Sequence, residues 1–598
     1  MSGNSTAGGS SSPYQNSATQ LYLDELNKSL ARNYLWGLLA VTGLLLANLV
    51  VTRFNAHLRH LASLSGTGSL RYYSSSSPAL SLLKSNLLYA PLLFYRKARE
   101  IKFSQHVDFG KLPTRFQALC VLLVTITNLF ACTWNIPWSD SELQVLPILR
   151  NRTGTLAVVN FIPIMVMATV KNPLISLLNI NYDTFNLIHR WFGRISALEG
   201  VTHALCWLIA KHQSAGWSAV KASLHAPFIY SGLIAVSSST IVLLSSPKVF
   251  RNLAYEFFLH LHIALVVLIL AFLWIHLKSL PQRGLLLGAV LIWGVSRTLR
   301  LATLLYRSTG RAGLKAKIEP LSGGAVKITL KAARPWTHRP GQYVYLTIPA
   351  IGLWTSHPFS VAWAGSEDSL SQSISRKSSF NEKAPIVRIR NLEMERGTGE
   401  ETMSLVVKKH TGLTHKLWQH AMSGQAENNV TALIEGPYGV ERSLSSYGTV
   451  ILFASGVGIT HQLSYVKQLV EGYGQGTVAA KRVTLVWVVP TTDCLDWVRP
   501  WMHEILGLEG RREVLKILLY ITRAGLSQAI KSPSEQVQMS RGRPDVETII
   551  RHEALHKMGC IGVSVCAGGG LADEVRRVSR MMLDRGVNLD LIEEGFGW

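Results

Sequence analysis

The sequence predicts an α-helical membrane bundle of about seven spans, followed on the inner side by a soluble β domain and then an α/β domain. Three observations carry this. Only 16% of the 598 residues are Asp, Glu, Lys or Arg, against roughly 25% in ordinary soluble domains, while 48% are apolar and mean hydropathy is +0.20. Apolar runs at about 34–52, 116–134, 153–170, 185–210, 228–244, 255–277 and 285–305 approach or exceed the roughly 20 residues that cross a bilayer. After Arg311 the pattern changes to alternating strands such as Val326–Leu330, Tyr343–Ile348 and Ser404–Val407, and from Thr449 to mixed strand and helix.

Residues 1–32 are rich in Ser, Asn and Gly and lack both a basic leader and an apolar core, so they read as a disordered extracytoplasmic tail. Between the first two spans stand ten Lys or Arg and two acids, Glu100 and Asp108, which places that loop in the cytosol. Seven spans then leave the N-terminus outside, with sequons at Asn4 and Asn27 on the glycosylating side, and everything after Leu305 inside. The apolar patch Leu87–Tyr95, flanked by Arg96, Lys97, Arg99 and Lys102, reads either as a helix on the membrane surface or as a buried loop helix. The domain boundaries expected are 1–32 for the tail, 33–310 for the membrane domain, 311–445 for the β domain and 446–598 for the α/β domain. Ser366–Ser379 reads as a loop inserted in the β domain, open to phosphorylation or merely flexible.

The formal net charge of +24 suits nucleic acid, anionic lipid or anionic cofactors, and the apolar content puts lipid and cofactor first and excludes nucleic acid. Six cysteines with no CxxC pair suggest neither a disulfide scaffold nor a zinc site.

Four histidines lie in the apolar runs: His189 and His203 on the fourth, His262 and His276 on the sixth. Each pair is fourteen apart, which advances about 21 Å along a helix and returns to within about 40° of the same face. Both helices run in the same direction, so His189 meets His262 at inner depth and His203 meets His276 at outer depth. Ionisable groups inside a bilayer are costly, and paired neutral imidazoles are axial ligands for heme iron; two stacked bis-histidine b-type hemes would form an electron wire. His260 stays unassigned. Arg190 and Arg194 are either heme-propionate partners or positive-inside anchors.

In the β domain, RPGQYVY (339–345) leads to His357, Pro358, Phe359 and Ser360, a strand whose rings and hydroxyl suit the isoalloxazine of FAD. Gly412 and Thr414 stand where a helix should begin, with Thr414 as N-cap and exposed amides for the flavin diphosphate; Lys408 and Lys409 add charge or are merely solvated. In the α/β domain, Gly456, Gly458, Ile459 and Thr460 follow an apolar strand and open a helix, the arrangement that receives a nicotinamide dinucleotide. A second turn places Cys566 before Gly568, where the nicotinamide could approach the flavin, although Cys566 equally suits a packed core thiol. The terminal Phe596 or Trp598 could cover the flavin face or simply pack.

These motifs, with NPL at 172–174, HRWFGR around His189, YEFF at 255–258 and the ending EEGFGW, resemble the fungal ferric reductase family, within the group that includes the NADPH oxidases, over roughly residues 110–598. The resemblance implies a transmembrane heme domain, a ferredoxin-reductase-like β-barrel FAD domain and a Rossmann-like NADP domain. It also implies a metalloreductase carrying electrons from cytosolic NADPH through FAD and two hemes to extracytoplasmic ferric chelates or siderophores, and to cupric ions, with an iron permease or ferroxidase downstream. Plasma membrane is the expected location, a vacuolar or other internal membrane the alternative. Two positions depart from the family pattern: Ala454-Ser455-Gly456, where a further glycine is common, and Pro490, where a basic residue for the ribose 2′-phosphate is often found. NADPH rather than NADH is thus inherited from the resemblance. Arg150, Arg152 and His212 could attract anionic chelates or be ordinary surface charge. Two rival readings are an NADPH oxidase making superoxide, which the equal fourteen-residue spacings and the missing proline at His461 disfavour, and a non-enzymatic heme-binding scaffold.

Overall fold

The computed structural model describes the chain except residues 1–12, 65–67, 95–96, 101–109, 137, 139–141, 169–171, 179, 309–313, 332–333, 335, 337, 353–354, 367–400, 424–428, 440–441, 524–529, 532–534 and 595–598. The serine-rich stretch and the aromatic terminus, Trp598 included, lie outside the described residues.

Helices come first: α1 (Pro13–Leu64), α2 (Pro78–Leu83, continued by one π turn Lys84–Leu88), α3 (Arg115–Thr133), α4 (Glu142–Val159), α5 (Phe161–Met167), α6 (Pro173–Leu178), α7 (Tyr182–Ser223), α8 (Pro227–Ser245), α9 (Lys248–Leu253), α10 (Tyr255–His276) and α11 (Arg283–Ser308). The chain forms two compact units, the first comprising Met1–Asn48, Leu119–Asn172 and Tyr182–Ser296, and the second Leu49–Ala118, Pro173–Asn181 and Arg297–Trp598.

The first unit is a helix bundle whose outside is apolar: Trp36, Leu39 and Leu44 on α1, Leu122, Ile126 and Leu129 on α3, and Phe257 and Val267 on α10 are exposed. Its inside holds the polar groups Asn128, Asn160, Glu199 and Ser231, an inversion that only a lipid environment favours. Among the described residues, five helices are long and apolar enough to cross a membrane: Glu25–Ser63 within α1, then α3, α8, α10 and α11. The remaining two predicted spans correspond to α4 with α5, where Arg150 and Arg152 lower the hydropathy, and to the 42-residue α7, which carries Arg190, Arg194 and Glu199 and breaks at Gly216, φ +71°. The protein is an integral membrane protein. The tail expected to be disordered through residue 32 is instead helical from Pro13, because the good helix formers of QLYLDELNKSL extend the spanning helix backwards without a breaker.

The second unit opens with β1 (Lys315–Leu321), β2 (Ala325–Lys331), β3 (Tyr343–Thr347), β4 (His357–Ser360), β5 (Trp363–Ser366), β6 (Glu401–Lys408), α12 (Leu413–Met422), β7 (Asn429–Thr431) and β8 (Leu433–Tyr438). Two antiparallel sheets, ordered β5-β6-β2-β1-β7 and β4-β3-β8, close over Leu330, Val344, Leu346, Leu405 and Leu417. Then follow β9 (Thr449–Ser455), α13 (Ile459–Gly474), β10 (Arg482–Val489), α14 (Arg499–Leu506), α15 (Arg511–Val514), β11 (Leu515–Ile521), β12 (Ile530–Lys531), β13 (Val537–Arg541), α16 (Val546–Leu555), β14 (Ile561–Cys566), α17 (Gly569–Asp584) and β15 (Leu589–Glu593). Their sheet is ordered β12-β13-β11-β10-β9-β14-β15 and is parallel except at the edge strand β12. The strand order reverses direction at β9, so the carboxyl ends of β9 and β14 flank a switch point, the place where such sheets bind nucleotides.

The loop between α1 and α3 departs from the membrane-surface reading of Leu87–Tyr95. It docks on the α/β domain: Lys84 Nζ meets Asp590 at 2.7 Å, Arg580 Nε donates to the Ser85 carbonyl at 2.6 Å, and the Leu591 N–H donates to Tyr89 Oη at 3.3 Å. The N–H groups of Lys97, Ala98 and Arg99 converge on the Asp573 carboxylate at 3.0, 2.8 and 3.2 Å. The acids at the end of this domain offer buried partners to the loop's basic residues, which therefore bind protein. Contacts thus group residues 49–118 with the soluble half, whereas the sequence boundary had assigned them to the membrane domain.

Candidate functional site

Within the bundle, α7 and α10 each present two histidines. The His203 and His276 rings stand 6.1 Å apart, centroid to centroid, at 85°. His189 and His262 are electrostatic neighbours at the other level. In three of the four, Nδ1 faces a backbone carbonyl: His189 to Ile164 at 3.0 Å, His203 to Arg150 at 2.8 Å and His276 to Phe228 at 2.7 Å. A carbonyl only accepts, so Nδ1 carries the proton and Nε2 keeps its lone pair, the tautomer a metal needs. His262 Nδ1 is buried with no hydrogen-bond partner among the described residues, and its ring lies 5.7 Å from that of Phe258.

Two glycines that the sequence reading passed over make room for these rings. A Cβ at Gly154 on α4 would lie 2.6 Å from His203 Nδ1, and one at Gly232 on α8 would lie 2.9 Å from His276 Cε1. The signal was available in principle, since a glycine inside an apolar helix costs stability and marks close approach, but it did not say to what. His260 instead turns its Nδ1 to its own helix at Glu256, 2.7 Å away. Arg190 Nε donates to the Asn186 carbonyl and Arg194 stacks 5.0 Å from the Trp191 ring. Arg152, one reading of which was a surface charge, is buried and donates to the Trp134 carbonyl and Asn27.

In the β domain, His357, Pro358, Phe359 and Ser360 form β4, which pairs with β3 so that Tyr343 opposes Ser360 and Tyr345 opposes Pro358. Tyr343, Tyr345 and Tyr438 gather at 5.4 to 6.0 Å, and Tyr438 donates to Glu435, which also pairs with Arg300 at 2.7 Å. The sequence did not single out Tyr438, Glu435 or Arg300, because β8 is distant in the chain from β3. Gly412, at φ +65°, is itself the cap of α12. Thr414 is therefore not the N-cap: it lies inside the first turn, its hydroxyl accepting from the His410 N–H at 3.0 Å and donating to the Thr411 carbonyl at 3.2 Å. Lys409, half-exposed, places its Nζ 3.5 Å from the Trp418 ring centre.

At the switch point, Gly456 (φ +54°) turns the chain out of β9 and α13 begins at Ile459. Gly458 has no room for a side chain: a Cβ would collide with the Cys566 carbonyl oxygen and lie 3.1 Å from its Sγ. The two glycine turns thus press together. Thr460 is buried and donates to the Val457 carbonyl at 2.9 Å, so it stabilises the turn from within, and Ile459 is fully buried. Burial, with the Glu594 charge nearby, pushes the Cys566 thiol up, which keeps it a neutral thiol. Among the described residues Gly568 is open, with Ser455 Oγ at 3.9 Å the one atom near a built Cβ. Gly569 is covered, since its Cβ would lie 2.8 Å from the Ala98 carbonyl of the docked loop.

A membrane bundle joined to a β domain and a parallel sheet with a glycine-lined switch point defines a membrane-bound flavin and nicotinamide protein. Residues 153–273 match the family described as ferric reductase like transmembrane component, 311–399 an FAD-binding domain, and 447–580 the ferric reductase NAD binding domain. The chain belongs to the ferric reductase family, and FAD and NAD(P) are its nucleotide cofactors. It is 25% identical over 532 residues to ferric/cupric reductase transmembrane component 2 of Saccharomyces cerevisiae, covering 82% of this chain and 68% of that protein. Against ferric reductase transmembrane component 3 of the same yeast it is 23% identical, covering 89% and 74%. Against a probable cell surface ferric reductase of Aspergillus oryzae it is 24% identical, covering 71% and 54%.

Proposed function

We propose that this chain is a transmembrane metalloreductase that takes electrons from cytosolic NADPH through FAD and two b-type hemes to extracytoplasmic ferric chelates, with cupric ions as a second substrate class. The observation that carries the reading is the His203–His276 pair. Imidazole nitrogens bind first-row metals at about 2 Å, so two such bonds plus the half-widths of two rings come to about 6 Å, the separation seen, with both Nε2 atoms in the ligating tautomer. The flavin that the β domain would hold would supply the conversion from a nicotinamide's electron pair to single electrons, and the groups that the histidine pairs would hold would supply one-electron chemistry.

On this reading His189 and His262 hold the inner group and His203 and His276 the outer one. Gly154 and Gly232 let α4 and α8 approach the outer pair closely. His357 to Ser360, Gly412, Thr414 and Trp598 belong to the flavin site; Gly456, Gly458, Ile459, Thr460, Cys566 and Gly568 belong to the nicotinamide site. Gly568 offers the open approach and the neutral Cys566 an uncharged wall. Seven spans within 33–310, with residues 49–118 forming a loop that packs on the soluble half, soluble domains at 311–445 and 446–598, a plasma-membrane location and a downstream iron permease or ferroxidase complete the proposal; the cell-surface name of the Aspergillus relative supports the location.

The test is NADPH-driven reduction of a ferric chelate by membranes containing the protein, with and without oxygen, while superoxide is monitored. A rate that survives anaerobically supports metalloreduction. Collapse without oxygen would make superoxide the product, and failure of NADPH to reduce bound flavin would leave a heme-binding scaffold.

A further inference from the structure

Between the two histidine levels the bundle contains a closed polar network. Glu199, on α7, is four residues and about 6 Å along the axis from His203, and its side chain is buried. Asn160, between α4 and α5, donates one Nδ2 hydrogen to Glu199 Oε2 at 2.9 Å and the other to Asn128 Oδ1 of α3 at 2.9 Å. Tyr34 of α1 donates to Asn160 Oδ1 at 2.9 Å and accepts from Asn128 Nδ2 at 2.9 Å, and the second Asn128 hydrogen goes to the Val124 carbonyl at 2.8 Å. Every amide and phenol hydrogen is assigned, and the chain of donors ends on the carboxyl group. Its other oxygen, Oε1, lies 3.8 Å from Cys132 Sγ.

That last contact is the informative one. A thiol both donates and accepts weakly. With Glu199 as carboxylate, S–H donates to Oε1; with Glu199 as carboxylic acid, O–H donates to sulfur. The remaining bonds are the same in both forms, so one proton can enter or leave without breaking the network or moving a helix. A carboxyl group in the apolar layer is expensive unless used or paired, and its surroundings supply no salt bridge among the described residues. The ionisable groups that act on this site are Tyr34 from α1 and Cys132 from α3, with Arg152 of α4 acting on Cys132; on α7 the neighbours in sequence are Arg194 and His203, α8 carries Tyr230 as its one ionisable side chain, and α5 carries none.

We propose that Glu199 is a proton-accepting group coupled to electron entry at the His203–His276 level. The inference rests on the heme reading above. One electron, delivered by the upstream carriers, adds one negative charge there; one proton from water binds the Glu199 carboxylate, the S–H···O bond becomes O–H···S, and the interior gains no net charge. When the electron leaves to the acceptor, the proton returns to water. Burying an uncompensated charge in low dielectric is what the coupling avoids.

The experiment is a redox titration of heme absorbance in the full-length protein, reconstituted in lipid nanodiscs, across a range of pH, for wild type, Glu199→Gln and Cys132→Ser. The expected wild-type result is a reduction equilibrium at one heme that changes up to tenfold per pH unit, about 59 mV for one electron. Glu199→Gln preserves shape and the Asn160 bond and should lose that dependence; Cys132→Ser, still both donor and acceptor, should keep it. Infrared difference spectra should show a protonated carboxyl band appearing on reduction in wild type and absent from Glu199→Gln. A pH-independent potential in wild type, or the same slope in Glu199→Gln with both hemes present, overturns the proposal. Absence of heme absorbance in wild type would sink the heme reading itself and this inference with it.

Discussion

Replacing Gly458 by Ala should impair nicotinamide-driven flavin reduction more than either neighbouring glycine substitution. The added methyl would run into the Cys566 carbonyl oxygen, with the carbonyl carbon at 3.0 Å and Sγ at 3.1 Å. The obstacle is backbone at the end of β14, a strand held between β9 and β15, so neither side can yield by a rotamer change. Overpacking of this kind costs about 1 to 3 kcal/mol, and the rigidity of both partners places Gly458→Ala at the upper end. A displacement of the turn by about 1 Å would slow a positioned transfer by on the order of a hundredfold. Gly456→Ala meets no atom within 4 Å but must hold φ +54°, for about 1 to 2 kcal/mol. Gly568→Ala has ordinary dihedrals and room, and should stay within about 0.5 kcal/mol of wild type. Stopped-flow flavin reduction by NADPH, with thermal unfolding of the same preparations, tests the order 458, 456, 568. If Gly458→Ala matches Gly568→Ala in both measurements, the close approach of the two turns is not what shapes this site.

Three further outcomes are expected. His203→Ala should remove the outer-heme absorbance and chelate reduction while NADPH-to-FAD transfer continues, and Gly232→Ala, whose methyl would sit 2.9 Å from His276, should lower the same absorbance; unchanged heme content in His203→Ala would refute the pairing. Glu593 is held down to about 2, against the upward pull of burial, by Lys97 and Arg576. Its folded value lies below the ordinary 4.5, so its stabilisation is complete above pH 4.5 and is lost as pH falls towards 2. Glu593→Gln should therefore be less stable than wild type at neutral pH, by about 3 kcal/mol, with the gap closing in acid denaturation profiles over that window. Burial and the neighbouring His338 hold His461 down to about 4 from 6.5, so its neutral form favours the fold above pH 6.5 and that contribution is lost as pH falls through 4. His461→Asn should flatten the stability profile between those values; an unchanged slope in chemical denaturation would count against it.

Periodicity and composition were enough to read the membrane bundle and the order of the two soluble domains, because lipid burial and strand alternation are local demands written residue by residue; the nucleotide classes came from short motifs and the family resemblance. The fourteen-residue spacing on α7 and α10 likewise follows from helical geometry alone. The helical start at Pro13 was masked by a polar composition that resembles a tail. Thr414 was misassigned as the cap because the sequence shows a glycine and a threonine but not which one leaves the helix first; the φ of +65° at Gly412 decides it.

What the sequence by itself determined is the set of elements and the chemistry each carries: which helices are apolar, which bear imidazoles, and which glycine turns follow strands. The tertiary structure alone decided which distant residues meet. Gly154 next to His203, Gly458 against Cys566, Tyr438 beside Tyr343, the loop from Lys84 to Arg99 on Asp573 and Asp590, and Glu199 against Asn160 and Cys132 join positions up to hundreds of residues apart. No local period encodes such pairs, because the cost of burying a charge or a polar hydrogen is relieved by whichever partner the packing brings within bonding distance.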